Sequence, residues 1–279
     1  MTVKIVTDST SDITRKLADD LGVTVIPLTV IFGHDTFVDR VDITTDEFYR
    51  RLTRQELSPT TTQPSPGTFA EVYKKLAAET NEILVVVISG KLSGTYQSAE
   101  SARELAGVNA RIEVIDSGKT AMALGLLVIA AAKMAKEGAS LDEIATATRD
   151  RIPRAHPIMA FDTLKYLAKG GRIGKAQGLA GSLLRVRPVL TMKDGEVSPL
   201  TRLRSQAAVA DYLYNAVASL KAVEELAVEH ATTPDDADAL VDRLSIIFPR
   251  ERIYRSTVSP VLGTYMGPNV LSISYIESK

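Results

Sequence analysis

The chain has no cysteine and no tryptophan, and aromatic residues make up only 5% of its 279 residues. Without cysteine, disulfides, thiolate metal sites and cysteine nucleophiles are all excluded. The formal net charge is −1, so no general attraction to nucleic acid or to an anionic membrane is expected. The longest apolar run, residues 121–132, is too short to cross a bilayer. The composition therefore predicts an ordinary globular protein that does not insert stably into a membrane.

Histidine is also scarce, and His34, His156 and His230 lie far apart in the sequence. No two of them have the i, i+4 spacing of a helical zinc site, and no Ser–His–Asp set suggests itself. The chain runs from Met1 almost directly into an apolar stretch at residues 3–6, which leaves no room for a signal peptide. We therefore expect no metal, no cofactor and a cytoplasmic location.

The most informative stretch begins with six consecutive apolar residues at 83–88, which predict a strand buried on both faces. A short loop of Ser, Gly, Lys and Thr follows, and then a helical pattern. Such a turn aims free backbone N–H groups and the positive end of a helix dipole at one point. Gly94 permits close approach, and Ser93 and Thr95 add hydroxyls. The loop therefore suits a carboxylate or a phosphate.

Two enzyme motifs do not fit this loop. A nucleophile elbow needs glycine two residues before and two residues after its serine, but Lys91 and Thr95 occupy those places around Ser93. The phosphate loop of nucleotide hydrolases needs a Gly-Lys-Ser/Thr ending, which is absent. Ser93 and Thr95 either bind an anion or simply cap the following helix, and their spacing alone leaves both interpretations open.

The order of strand, polar turn and helix occurs twice more in the first half of the chain. One unit turns at residues 7–12 and the other at 116–118. Three such units predict a doubly wound, mostly parallel α/β sheet with its turns at one edge. Asp8 and Asp12, in the first turn, either contribute to a site at that edge or cap a helix. After this unit, residues 23–31 predict a further strand and residues 35–42 a polar loop.

Two other segments of the first half have unusual composition. Residues 58–67 contain three prolines and a glycine, which predict a stiff loop that holds Thr60, Thr61 and Thr62 at nearly fixed positions. The predicted helix at 120–136 is apolar nearly all round and is therefore buried. It is either plain core or, because its side chains are small, one wall of a channel for a slim apolar ligand.

A junction with two prolines at residues 153–157 divides the chain into two predicted α/β domains, 1–155 and 156–279. The second contains a predicted β-hairpin with an Asp-Gly turn at 194–195. Between residues 165 and 204 there are nine cations but only two acidic residues, a segment charge of about +7. Some of these cations flank a glycine loop at 170–175. They form a solvated face, an anion site or a surface for an acidic partner.

Several of these stretches together resemble the DegV family of bacterial fatty-acid-binding proteins. The similarity covers nearly the whole chain and is carried by motifs in the family's order: Val6-Thr7-Asp8-Ser9-Thr10-Ser11-Asp12, Thr61-Thr62-Gln63-Pro64-Ser65, Leu92-Ser93-Gly94-Thr95-Tyr96, Val114-Ile115-Asp116-Ser117, Lys169-Gly170-Gly171-Arg172-Ile173 and Leu184-x-x-x-Pro188.

The resemblance implies a two-domain α/β protein with an apolar tunnel and a head-group site near the domain junction. The ligand that the resemblance implies is a long-chain fatty acid, of about C14–C18. Burial of each methylene contributes about 0.8 kcal/mol, which favours binding of such a chain. The expected role is that of a carrier without catalysis, which presents the carboxylate to an ATP-dependent fatty acid kinase for phospholipid synthesis. The residues expected to hold the carboxylate are Thr61, Thr62, Ser93, Gly94 and Thr95.

Three further residues match positions that the family associates with the phosphoryl group or the kinase, namely Arg172, Arg204 and Tyr265. Tyr265 departs from the family pattern, which commonly has histidine there. A phenol can donate a hydrogen bond but cannot become a cation near neutral pH as imidazole can. We therefore expect acyl binding to be retained, while Tyr265 puts the coupling to a kinase in question.

Two other functions compete with this interpretation. An acyl hydrolase or phosphotransferase would use Ser93 as its nucleophile, although the sequence shows no base for it. A binding module for another small anion, such as a phosphorylated sugar, would use the basic segment at 165–204.

Overall fold

A computed structural model of the chain describes residues 2–54, 58–179 and 186–279. It has a mixed α/β architecture, as the sequence predicts. The strands described are β1 (Lys4–Asp8), β2 (Val23–Ile26), β3 (Thr29–Phe32), β4 (Asp35–Val38), β5 (Thr60–Thr62), β6 (Glu82–Val87), β7 (Arg111–Asp116), β8 (Ala155–Ala160), β9 (Arg187–Lys193), β10 (Glu196–Leu203), β11 (Val223–His230), β12 (Ile253–Thr257) and β13 (Leu271–Glu277). The α-helices described are α1 (Arg15–Leu21), α2 (Thr45–Arg54), α3 (Pro66–Ala77), α4 (Thr95–Ala106), α5 (Ala121–Lys136), α6 (Leu141–Arg151), α7 (Lys165–Lys169), α8 (Gln206–Ala218), α9 (Pro234–Leu244) and α10 (Pro260–Met266).

The first sheet has the order β2-β1-β6-β7, and every neighbouring pair is parallel. Alternate side chains of β6 lie in two different hydrophobic cores. Val85 and Val87 pack with side chains of α3 and α4, whereas Leu84 and Val86 pack with side chains of α5. Helices therefore cover both faces of this sheet, which explains why β6 is an uninterrupted apolar run. The doubly wound parallel sheet is confirmed.

The second sheet has six strands in the order β10-β9-β8-β13-β11-β12. Its pairs are antiparallel except for the parallel pair β11 and β12. The expected hairpin joins β9 to β10 through Asp194 and Gly195, both of which have positive φ. That backbone geometry matches the Asp-Gly preference of two-residue hairpin turns.

A third, small antiparallel sheet differs from the sequence prediction. Residues 23–31 were expected to form one strand, but Pro27 separates β2 from β3, which belong to different sheets. Proline cannot donate a ladder hydrogen bond, so it ends β2. The loops expected at 35–42 and 58–67 each contribute a strand, β4 and β5, which pair with β3. The threonine segment is therefore tied to a sheet by backbone hydrogen bonds.

Helix α5 joins the two large sheets. It packs against β1 and β6 of the first sheet and against β8, β11 and β13 of the second. Ten of its thirteen buried residues belong to one hydrophobic cluster that extends from Val3 to Ile276. The apolar surface all round this helix is explained by its position between two layers.

Helices α7 and α10 were not expected from the sequence, and both lie beside the glycine loop at 170–175. They pack against each other. Two residues used in the sequence analysis, Leu184 of the family motif and Arg185 of the basic segment, lie outside the described residues. Among the helices described, none is long and apolar enough to span a bilayer.

Candidate functional site

A narrow cleft lies where the loops after β1, β5 and β6 meet elements of the second half of the chain. It encloses about 670 Å³ of space between atoms, partly open to solvent, of which the centre of a water molecule can reach only about 60 Å³. Ten apolar side chains line it: Leu28, Ile88, Leu92, Met159, Phe161, Leu167, Val197, Val261, Leu262 and Met266. Seven polar side chains complete the lining: Thr10, Thr61, Gln63, Ser93, Thr120, Arg172 and Tyr265.

Thr61 reaches the cleft from β5, where its backbone pairs with Val30 of β3. Its Oγ1 lies 2.6 Å from the hydroxyl of Tyr265, which projects from α10. The guanidinium of Arg172 lies over the ring of that tyrosine, 5.0 Å from its centroid. These three residues also line a second, outer groove with Lys169. Thr61, Arg172 and Tyr265 thus form a wall between the cleft and the outer groove.

Ser93 enters the cleft from the loop between β6 and α4. Its Oγ lies 2.9 Å from Oγ1 of Thr95 and accepts the backbone N–H of Thr95 at 3.3 Å. Gly94 is the cap residue of α4 and has no side-chain cap. Ser93 therefore satisfies a free N–H group of the first turn without occupying the cap position, so its role is partly that of a capping residue.

Gly94 explains how the serine loop and the threonine segment come together. A Cβ added at this glycine would lie 2.7 Å from Nε2 of Gln63. A side chain here would contact the flexible end of the glutamine, so the missing Cβ lets the two segments pack closely without displacing that amide. The hairpin tip between β9 and β10 is held nearby, because Ser89 donates a 2.7 Å hydrogen bond to the carbonyl of Gly195.

The structure brings only some of the residues expected from the sequence to the cleft. Thr61, Ser93, Arg172 and Tyr265 line it. Thr62 follows on the same strand but is exposed, and Thr95 is buried behind Ser93. Arg204 is exposed at the end of β10 and does not line the cleft.

Three polar lining residues were not singled out as site residues by the sequence analysis. Gln63 belongs to the same threonine-rich motif as Thr61, and that position was the available signal. Thr10 and Thr120 each follow a strand of the parallel sheet, where ligand-binding groups collect in such folds. Thr120 is the cap residue of α5, yet its hydroxyl is buried without a hydrogen-bond partner among the described residues.

A separate group of buried carboxyl side chains, the acidic cluster, consists of Asp8, Asp12, Asp39 and Glu229. Asp8 accepts hydrogen bonds from the backbone N–H groups of Thr10 at 2.9 Å and Ile88 at 2.8 Å. It caps a short 3-10 turn, which confirms the capping interpretation, and it also ties β1 to the end of β6.

Burial raises the pKa of every carboxyl in the acidic cluster. The pKa of Asp12 rises to about 7 and that of Asp39 to about 6, against an ordinary 3.8, and the nearby charge of Arg40 moderates both shifts. The pKa of Glu229 lies well above its usual range, because of burial first and the charge of Asp12 second. Desolvation disfavours the charged form, so each of these groups binds its proton up to a higher pH than an exposed carboxyl does.

Asp12 and Glu229 face each other across the junction between the two sheets. Ser259 donates its N–H to Asp12 at 3.2 Å, and Met122 donates its N–H to Glu229 at 3.1 Å. The interaction between the two side chains lowers the pKa of Asp12 and raises that of Glu229, so a shared proton would be held by the glutamic acid.

The lining of the cleft is chemically different from that cluster. Its described lining residues include no histidine, aspartate or glutamate. Across the described ranges there is also no group of three or more His, Cys, Asp or Glu side chains that could hold a metal ion. The arrangement offers hydroxyl donors and one guanidinium to an anionic group, next to a mostly apolar interior.

The sequence profile described as the uncharacterised DegV family matches residues 2–278. The chain belongs to the DegV family. A DegV domain-containing protein of Caldanaerobacter subterraneus is 38% identical over 279 residues, and the alignment covers 99% of each chain. One from Streptomyces coelicolor is 36% identical over 275 residues, covering 97% of each chain.

Solved structures of DegV family proteins have the same fold over the whole chain. A fatty-acid-binding member from Thermus thermophilus superposes with a TM-score of 0.91 at 32% identity, covering 100% of both chains. A stearic-acid-binding protein from Eubacterium ventriosum superposes with a TM-score of 0.88 at 26% identity, covering 99% of this chain and 98% of the other. The two-domain α/β fold expected from the sequence is therefore shared with these proteins.

Proposed function

We propose that this protein is a non-catalytic carrier of a long-chain fatty acid, with the acyl chain in the cleft and the carboxylate at its polar wall. The observation that carries the proposal is the composition of the cleft: ten apolar side chains with Thr61, Ser93, Arg172 and Tyr265 at one place. Related DegV structures named for fatty acid binding support the choice of ligand.

The energetics favour an acyl chain. Burying about fifteen methylenes at about 0.8 kcal/mol each contributes about 12 kcal/mol before the cost of ordering the chain. The narrowness of the cleft suits a thin chain rather than a broad ring system, and side chains such as Met159 and Met266 can adjust to it. A desolvated carboxylate needs several donors, which the hydroxyls of Thr61 and Ser93 would supply.

In this proposal Thr62, Gly94 and Thr95 support the head-group site rather than form its surface. Arg172, Arg204 and Tyr265 would contact the phosphoryl group or a partner kinase. The kinase would transfer the terminal phosphoryl group of ATP to a carboxylate oxygen, giving an acyl phosphate and ADP. Residues 1–155 and 156–279 would act as the two domains, with the site at their junction, and the carrier would work in the cytoplasm.

The test is a direct measurement of the ligand. Native mass spectrometry of the purified protein is expected to show a bound fatty acid of about C14–C18, and delipidated protein is expected to take up palmitate with a long-chain preference. Protein that is consistently empty and takes up no fatty acid would falsify the proposal. Tight binding of polar phosphates without lipids would favour the small-anion module instead.

The residues are tested by substitution. Thr61→Ala combined with Ser93→Ala is expected to weaken fatty acid affinity by about 2–4 kcal/mol, since each lost partner of a buried charge costs about 1–3 kcal/mol. The matched control is Thr60→Ala combined with Ser101→Ala, two exposed hydroxyls from the same strand and from α4. An unchanged dissociation constant in the first variant would remove Thr61 and Ser93 from the site.

A further inference from the structure

The hydroxyl of Thr61 carries a single proton, and the direction in which it points decides whether it can serve a carboxylate. Its Oγ1 lies 2.6 Å from the hydroxyl of Tyr265, and either oxygen could donate in that bond. If Thr61 donates to the tyrosine, its proton is used and it offers the cleft only lone pairs. If Tyr265 donates, the proton of Thr61 remains free for the ligand.

Two features favour the tyrosine as the donor. A phenolic hydroxyl is a better donor and a poorer acceptor than an aliphatic one, because its lone pair is delocalised into the ring. The guanidinium of Arg172 lies over that ring at 5.0 Å, and a cation there draws electron density away from the hydroxyl. Arg172 is itself fixed by donating to the backbone carbonyls of Gly170 at 2.8 Å and Leu92 at 3.2 Å.

The tyrosine ring has a defined place in the fold. A Cβ added at Gly170 would lie 2.3 Å from Cδ1 of Tyr265, so the ring packs directly on the glycine backbone. The other residues of α10 are buried, which holds the helix in position. Thr61 is fixed through its strand pairing with Val30. The two oxygens therefore meet because both backbones are held in place.

We propose that Tyr265 is a positioning residue: it donates to Thr61 and thereby directs the threonine proton toward a carboxylate in the cleft. The inference rests on the proposed fatty-acid function. It gives the tyrosine a role that does not need a cationic side chain at this position. It also predicts that Tyr265 affects the affinity for a ligand with a carboxylate more than the affinity for a ligand with a neutral head group.

The experiment is a double-mutant cycle of Tyr265→Phe and Thr61→Val, with affinities measured for palmitate and for its methyl ester. Tyr265→Phe is expected to weaken palmitate binding about five- to tenfold, the size of one hydrogen bond, and to weaken ester binding less, because a neutral carbonyl accepts a weaker hydrogen bond than a carboxylate. The double variant is expected to bind palmitate no more weakly than Thr61→Val alone, because the tyrosine acts only through the threonine. Tyr166→Phe is the matched control, since this half-buried tyrosine also lies under a cation, with Lys165 at 4.7 Å.

A second variant moves the ring without removing its hydroxyl. Gly170→Ala is expected to displace Tyr265 and to reproduce the palmitate loss of Tyr265→Phe, whereas Gly178→Ala, where an added Cβ meets nothing within 4 Å, is expected to change nothing. Thermal unfolding of each variant checks that the fold is retained.

The outcomes separate this inference from the proposed function. If the unmodified protein binds neither palmitate nor its ester, the proposed function fails. If it binds palmitate but Tyr265→Phe binds equally well, the positioning role is overturned and the function stands. Additive losses in the double variant, or equal losses for acid and ester, would also overturn the positioning role.

Discussion

Two polar regions lie close together at the junction of the sheets, and they differ in the charge of their side chains. The acidic cluster holds four carboxyl groups that are almost completely buried. The cleft has no carboxyl group among its described lining residues but presents hydroxyls and the guanidinium of Arg172. Both regions draw on the turn after β1, where Asp8 belongs to the cluster and Thr10 to the cleft.

Neighbouring parts of one junction therefore contain side chains of different charge. In the cluster, negative charge is reduced by bound protons and by Arg40, so the carboxyls can be buried between the sheets. In the cleft, Arg172 makes no ion pair with any described carboxylate, and its exposed guanidinium lies over the ring of Tyr265.

The largest expected effect comes from a substitution that destabilises the acidic cluster. Arg40 donates to the carbonyls of Ser9 at 2.7 Å and Ile13 at 3.3 Å, and its charge favours the ionised form of Asp12 and Asp39. Arg40→Met is expected to lower the free energy of unfolding by about 3 kcal/mol at neutral pH, because buried carboxyls lose their nearby cation. Chemical denaturation measures the change. The exposed Arg204→Met is the control, and equal effects of the two would contradict the role given to Arg40.

The acidic cluster can also be tested by measuring the free energy of unfolding as a function of pH. The folded pKa of Asp12, about 7, lies above its ordinary 3.8, so the folded state binds more protons than the unfolded chain. The contribution of protonated Asp12 to the free energy of unfolding is therefore fully present below about pH 4 and is lost as the pH rises toward about 7. We expect the free energy of unfolding to fall over that window and Asp12→Asn to flatten the dependence.

Asparagine suits position 12, because the backbone there has φ +52° and an amide can both accept from Ser259 and donate to Glu229. Asp194→Asn is the matched control, since Asp194 also has positive φ but is exposed in the hairpin turn. If Asp12→Asn leaves the pH dependence unchanged while Asp194→Asn alters it, the cluster is not its source.

A smaller effect is expected where the two loops of the cleft meet. Gly94→Ala would place a Cβ 2.7 Å from Nε2 of Gln63, and the flexible end of the glutamine can move aside. We expect palmitate affinity to fall only about threefold, with the free energy of unfolding nearly unchanged, because a displaced surface amide costs little. Titration calorimetry on this variant and on Gly178→Ala provides the comparison. A loss larger than that of the double hydroxyl variant would place Gln63, rather than the hydroxyls, at the centre of the site.

The smallest expected effect on ligand affinity concerns Arg172, which is exposed and lies on the solvent side of Tyr265. Arg172→Ala is expected to change palmitate affinity by no more than about twofold, since an exposed charge contributes little. Phosphorylation of the bound acid by a cognate kinase is expected to be impaired. If Arg172→Ala reduced palmitate binding and phosphorylation equally, the assignment of Arg172 to phosphorylation rather than to binding would be refuted.

Much of the architecture follows from the sequence because its signals are local. The apolar run of β6 and the strand–turn–helix order predict a parallel sheet, and Asp194-Gly195 predicts the hairpin. Strands β4 and β5 were missed because neither has an apolar run, and both exist through pairing with β3. Helix α10 was also missed, since its stability comes from burial at the junction rather than from a surface pattern.

The candidate site, like the fold, could be predicted from the sequence only in part. The resemblance to DegV family motifs led us to expect Thr61, Ser93, Arg172 and Tyr265 at the site, and all four line the cleft. Which hydroxyl lines the cleft and which is buried or exposed depends on strand register and helix position, and these are set by contacts between residues far apart in the chain. The Thr61–Tyr265 bond joins residues 204 positions apart, and Asp12 meets Glu229 across the junction. Only the tertiary structure decides such contacts, because they exist when two separately ordered backbones are packed together.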